Sequence, residues 1–223
     1  MKKSRLISVL LTLVFLVFAI SASSVFAATG VARVYYYTGT GSNGPGTTST
    51  INSYLTNMGY SSVRVANSGP AVVTLALSTS KVVHILAHGQ GGTTPGGGIQ
   101  CVTGSGNPSD WIWANNLSSS MSQAKLIFFE CCNCACTNPT NGRLDNKCIS
   151  LGAQSTIAFN SEISAVGDTD GIHYFSRLVY YYLSLGNSVQ SSVSSAQEGV
   201  WMYYGSYYGA NNCAVNGGST TIS

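Results

Sequence analysis

The sequence predicts an α/β sandwich built on a mostly parallel sheet, and three features of it carry that expectation. The runs KVVHILAH (81–88), AKLIFFE (124–130) and STIAFN (155–160) are apolar almost throughout rather than alternating, the pattern of strands buried on both faces. They alternate with stretches of helical period, and alternation of that kind gives a parallel sheet with helices on either side. The chain of 223 residues contains neither an internal repeat nor a linker that would divide it, so one domain is expected.

Taken in order, ARVYYYTGT (32–40) reads as a strand rich in Val and Tyr. After a Gly/Ser/Thr loop, Ile51, Leu55 and Met58 share one face of a helix that Gly59 closes. SSVRVA (61–66) is a second strand, Pro70 opens a second helix, and 81–88 is the first fully buried strand. A short helix is expected within Asn107–Met121, carrying Trp111 and Trp113, followed by the strand 124–130. STIAFN is the last clear strand, and two helices over 170–186 and 188–204 close the domain.

The first 27 residues have a different character. Lys2, Lys3 and Arg5 precede an apolar run of about 15 residues, too short to span a bilayer. Val25 and Ala27 then supply small residues at the −3 and −1 positions of a cleavage site. Residues 1–27 are therefore expected to be a signal peptide and 28–223 a secreted domain without a membrane anchor. Cleavage removes three of the ten basic residues, leaving seven against seven acids. A chain so balanced, with only 8% charged residues, gives no reason to expect nucleic acid as a partner.

Seven cysteines in an exported chain is an odd number: six could pair and one remains. CCNCACT places Cys131, Cys132, Cys134 and Cys136 within six residues. Four thiolates suit a soft metal, but structural zinc sites draw on two separated pairs, and adjacent cysteines do not easily face one ion. Disulfides are the preferred reading and no metal is expected, although the sequence leaves the pairing open. Gly39, Gly41 and Gly44 form a G-x-G-x-x-G string after the first strand. The acid that a dinucleotide ribose needs some 20 residues later is missing, since no acid precedes Asp110, so a turn is the better reading and no cofactor is expected.

His84 lies within a strand body, where a structural role is expected. His88 instead sits at the strand's carboxyl end, before the run Gly89-Gln90-Gly91-Gly92. Ligands of open α/β sheets bind at those ends. Cys132 holds the matching place after the next apolar strand, so neighbouring strands would bring the two to one rim. An imidazole beside a thiol can take its proton and release a nucleophile for acyl transfer.

VVHILAHG followed by KLIFFECC resembles the core of the caspase-like cysteine peptidases (clan CD: the caspase, gingipain, legumain, clostripain and CHAT group). In that group an apolar strand ends in His-Gly, and the next core strand ends in an acid or Gln, a small residue and the nucleophilic Cys. STIAFNSEIS and the aromatic-rich closing helices look most like CHAT and gingipain-type domains, and the similarity covers most of 32–204. The resemblance implies a caspase-like three-layer sandwich and makes Cys132 the nucleophile and His88 its base. It further implies that the N–H groups of Gly89 and Cys132 form the oxyanion hole. Glu130, two residues before the nucleophile, would line the substrate pocket; Glu162, Asp168 and Asp170, after the next strand, are candidates to add negative charge to it, the alternative being solvated loop acids or, at Asp170, a helix N-cap. Cleavage of a protein or peptide substrate after Arg or Lys follows from those acids. Cys131 stands where the group usually has Ala or Ser, which leaves the nucleophile open between two adjacent thiols.

The expected function is thus a secreted thiol endopeptidase. Two alternatives remain: a binding module that kept the fold without turnover, and a disulfide or metal protein built on Cys131–Cys136.

Overall fold

Six strands form the central sheet in the computed structural model, which describes residues 30–38, 40, 43–90, 97–101, 108–164 and 170–223. In chain order the elements are β1 (Val31–Tyr36), α1 (Gly44–Asn57), β2 (Ser61–Ala66), α2 (Pro70–Thr79), β3 (Val82–Leu86), β4 (His88–Gly89), β5 (Gly98–Gln100), β6 (Trp111–Trp113), β7 (Leu126–Glu130), α3 (Leu144–Ser150), β8 (Thr156–Phe159), α4 (Gly171–Ser184), α5 (Val189–Tyr204) and β9 (Cys213–Asn216). The sheet order is β2-β1-β3-β7-β8-β9. All its pairings are parallel except β8 with β9.

The inner strands β3, β7 and β8 are buried along their whole length because both faces are covered. On one face Val34, Val82, Phe128 and Phe159 pack against α1, α4 and α5 through Ile51, Leu55, Phe175 and Val193. On the other, Tyr35, Val83, Ile127 and Phe129 meet α2 and α3 through Val73, Leu77, Leu144 and Cys148. The period of two decides membership: along β7, Phe128 joins the first layer and Phe129 the second. The expected sandwich with a mostly parallel sheet is therefore the architecture found.

Three local expectations are corrected. Helix α1 starts at Gly44 rather than near Thr50, with Pro45 in its first turn, where a missing N–H costs nothing. Between 108 and 121 the chain forms β6 flanked by two short 3₁₀ turns, not a helix. Trp111 and Trp113 stack at 5.3 Å while Ile112 between them is buried, so the period there is two rather than 3.6. STIAFN is not the last strand: β9 adds an antiparallel edge beside it.

Strand β3 stops at Leu86, and His88–Gly89 leaves the main sheet to begin a small antiparallel sheet, β4-β5-β6, at its carboxyl edge. Residues 1–27, together with Gly39, Gly41 and Asp168, lie outside the described residues. Among the described residues, no helix is long and apolar enough to cross a membrane.

Candidate active site

β3 and β7 are parallel neighbours with Leu86 opposite Glu130, and the Ala87 N–H donates to the Glu130 carbonyl at 3.2 Å. Both chains turn at the same rim. After Ala87 comes His88–Gly89, with His88 exposed; after Glu130 comes the turn that begins with Cys131 and Cys132. The two segments touch. A Cβ built on Gly89 falls 1.8 Å from the Cys132 carbonyl oxygen and 2.8 Å from its nitrogen, a separation that only a glycine permits. Thus the residues expected to supply the oxyanion N–H groups, Gly89 and Cys132, are in backbone contact, and His88 is the immediate neighbour of that contact.

The turn carrying Cys132 is fixed on its other side by Asn133, whose φ of 55° is left-handed, a conformation that Asn tolerates better than most residues. Its N–H donates to the Ser161 carbonyl at 2.9 Å, and its own carbonyl accepts from Gly97 at 2.9 Å and Cys136 at 3.0 Å. Four segments therefore converge on the backbone next to Cys132.

Cys131 and Cys132 differ in what surrounds them. Cys131 continues the period of two toward the α2/α3 layer and is buried, so its thiol is pushed well above the ordinary range by burial and by Cys134. Cys132 reaches solvent in part, and its sulfur accepts a hydrogen bond from the Ile163 N–H at 3.4 Å. Burial raises the Cys132 pKa, the Ile163 N–H partly offsets that, and the charges of Cys134 and Glu162 raise it further. At neutral pH this sulfur is a thiol, so a nucleophile here needs a base to take its proton.

Glu130 does not line a substrate pocket. The period that places Phe128 toward α4 also sends Glu130 there, and its side chain is 1% exposed. His173 of α4 donates from Nδ1 to Oε1 at 2.6 Å, and His84 Nε2 lies 3.2 Å from Oε2. Burial alone would raise this carboxyl's pKa; the charge and hydrogen bond of His173, together with His84, overcome it and hold the pKa down at about 2. For His173 burial favours the neutral ring, but Glu130 wins and its pKa is raised. Glu130 is consequently a carboxylate locked into a buried pair of imidazoles. His84, expected to be structural, is one of them.

Beyond Cys132 lies an open groove of about 660 Å³, with Glu162, Ile163, Trp201, Tyr207 and Tyr208 among its walls. Glu162 is exposed there, and Ile163 connects the groove to the Cys132 sulfur. Trp201 and Tyr207 stack at 5.1 Å between ring centres, and Trp201 is 51% exposed. No sequence motif singles out these aromatic residues, nor His173 and Ile163. The cluster WMYYGSYY is the signal of the aromatic residues, hidden by the helical period of the residues before it.

All seven cysteines are free, which corrects the disulfide expectation. Cys101, Cys131, Cys134 and Cys148 pack in the α2/α3 layer as small apolar groups. The Cys134 thiol donates to the Cys131 carbonyl at 3.0 Å, and that of Cys136 to the Asn160 carbonyl at 3.0 Å. The four clustered thiols are thus divided between core and surface. Among the described residues, no group of three or more His, Cys, Asp or Glu side chains is placed to hold a metal ion.

No family model and no curated protein matches this chain. Among solved structures it is similar to Saccharomyces cerevisiae separase in its complex with securin, with a TM-score of 0.51 and 16% sequence identity. The match covers 86% of this chain and 12% of that one. The fold is caspase-like. At this identity the likeness speaks for the fold alone, and the caspase-like frame is what brings the ends of β3 and β7 together at one rim.

Proposed function

We propose that this protein is an exported cysteine endopeptidase with Cys132 as nucleophile and His88 as its base. The reading rests above all on one observation: His88–Gly89 lies against the Cys132 backbone at the carboxyl ends of adjacent strands. The caspase-like fold, shared with a solved separase structure, supports a peptidase-type domain. Placement nearest the CHAT and gingipain-type domains, and export through residues 1–27, rest on the sequence motifs.

In the proposed reaction the His88 imidazole accepts the Cys132 proton as sulfur attacks the scissile carbonyl carbon. Backbone N–H groups at the Gly89–Cys132 contact hold the oxygen as it takes on negative charge. The C–N bond then breaks, and the leaving amine takes the proton from His88, giving a thioester. Water attacks that thioester with His88 again accepting the proton, and the acid and the free thiol are released. The raised Cys132 pKa fits a thiol deprotonated during attack rather than a resting thiolate.

With Glu130 enclosed, the preference for Arg or Lys rests on Glu162, exposed in the groove beside Cys132. A carboxylate and the aromatic residues Trp201 and Tyr207 in the walls of one groove suit a cationic side chain, which both features attract. A protein or peptide is the corresponding substrate.

The test is a fluorogenic peptide library offered to protein purified under mild reduction, alongside Cys132→Ala, Cys131→Ala and His88→Ala. Cleavage lost with Cys132→Ala and His88→Ala but kept with Cys131→Ala supports the reading. No cleavage by folded protein with a reduced Cys132 overturns it in favour of a non-catalytic binding module.

A further inference from the structure

We infer that Glu130 is a positioning residue for the proposed dyad. It clamps the two strands that carry His88 and Cys132 and does not contact substrate. The inference rests on the peptidase reading above.

Glu130 ends β7, two residues before Cys132, and His84 lies in β3, four residues before His88. The Glu130 carboxylate accepts a hydrogen bond from His173 Nδ1 at 2.6 Å and lies 3.2 Å from His84 Nε2, a close contact without hydrogen-bond alignment, so one side chain of β7 joins α4 and packs on β3 directly beneath the rim. The group is shut off from water: the side-chain exposures are 0% for His84 and 1% for Glu130 and His173. The remaining groups that act on it are Asp170 and Arg177, which bear on His173, and the Tyr180 phenol, which faces Glu130 and is itself influenced by Tyr60. His84 is further wedged edge-on between Phe128 at 4.9 Å and Tyr180 at 5.6 Å, so neither strand end can shift without breaking close packing.

A buried carboxylate is costly unless its partners are fixed, and a strand end carrying a nucleophile gains from being fixed. An apolar residue would fill the same space without joining three elements through one group. The clamp thus converts the register of Leu86 opposite Glu130 into a defined spacing between His88 and Cys132.

The test compares wild type with Glu130→Gln, a neutral side chain of the same shape, in the full protein. We expect kcat to fall at least tenfold with KM for Arg and Lys substrates changed less than twofold. The pH dependence of Cys132 alkylation by iodoacetamide is read in parallel and needs no turnover. Glu130→Gln should remove the His88-dependent part of that profile, and His88→Ala/Glu130→Gln should be no slower than His88→Ala. A rise in KM for basic substrates at unchanged kcat would return Glu130 to the substrate pocket and overturn the inference. An unchanged profile, or additive losses in the double variant, would also overturn it. If Glu130→Gln does not fold, His173→Gln is measured in the same assays with the same expected and contrary outcomes. A wild type that cleaves nothing refutes the peptidase reading, while alkylation still decides the clamp.

Discussion

The α-carbon of Gly89 faces the peptide of Cys132 so closely that any β-carbon would overlap the Cys132 carbonyl oxygen, at 1.8 Å. The obstructing atoms are backbone, so no change of rotamer relieves the clash. Gly89→Ala is expected to push the His88 segment away from Cys132 and cut turnover at least a hundredfold, a misplacement cost of familiar size. Circular dichroism should still show the main sheet, because β3 ends before this contact. Peptide turnover beside a far-UV spectrum checks both statements.

The two adjacent thiols should separate cleanly in labelling. Cys131 is buried with a strongly raised pKa, whereas Cys132 is partly open with a more modest rise. Brief iodoacetamide treatment of native protein followed by peptide mapping is expected to modify Cys132 and spare Cys131. Because the Cys132 pKa is raised, its labelling should still be accelerating above pH 9 in His88→Ala. Cys131→Ala should cost about 1 kcal/mol of stability, the usual effect of a small truncation in a core.

The buried His–Glu–His group makes a two-sided prediction for stability. The Glu130 pKa falls from 4.5 to about 2 on folding, so its contribution is whole above pH 4.5 and lost as the pH falls toward 2. The His173 pKa rises above 6.5 on folding, so its contribution is whole below pH 6.5 and lost as the pH rises through the folded value. The difference in Tm between wild type and Glu130→Gln is expected to be greatest between these limits and to shrink on both sides. The carboxylate's share is on the order of 3 kcal/mol at its fullest. Thermal melts across pH 2–9 measure it.

Substrate preference should depend on Glu162, not Glu130. Glu162→Gln is expected to lower kcat/KM for Arg and Lys substrates about tenfold, in the range for losing one partner of a charge-assisted contact. Neutral substrates should be little affected. Trp201→Ala, which strips an exposed face from the groove, should raise KM with little effect on stability. Profiling each variant against peptides that differ in one residue gives the comparison.

How much of this was legible in the sequence depends on which force sets each feature. The core strands were plain, because burial on both faces leaves continuous apolar runs, and the closing helices were plain from their periodicity. β6 was missed because two tryptophans in a polar, Gly-rich setting carry no clear period; what makes the strand is its pairing with the remote β5. β9 was missed for the same reason, as CAVN gains its strand only by pairing with β8. The rim was legible because His88 and Cys132 close consecutive buried strands. The error at Glu130 is instructive. Its place two residues before Cys132 suggested a pocket, but counting back by twos through Phe128 and Leu126 sends it into the α4 layer, where His173 shares the buried helix face of Ile172 and Phe175. The disulfide expectation came from compartment and count, and neither bears on where a core strand turns its cysteines.

In the proposed reaction Cys132, assisted by His88, is the acylating nucleophile. A peptidyl acyloxymethyl ketone with a basic residue next to the warhead tests it in one step, since the thiolate displaces the carboxylate and leaves a stable thioether. Intact mass followed by peptide mapping should show one adduct per chain, located on Cys132, lost in Cys132→Ala and strongly slowed in His88→Ala. Folded, reduced protein that forms no adduct, or forms one on another cysteine at the same rate with and without His88, would contradict the account.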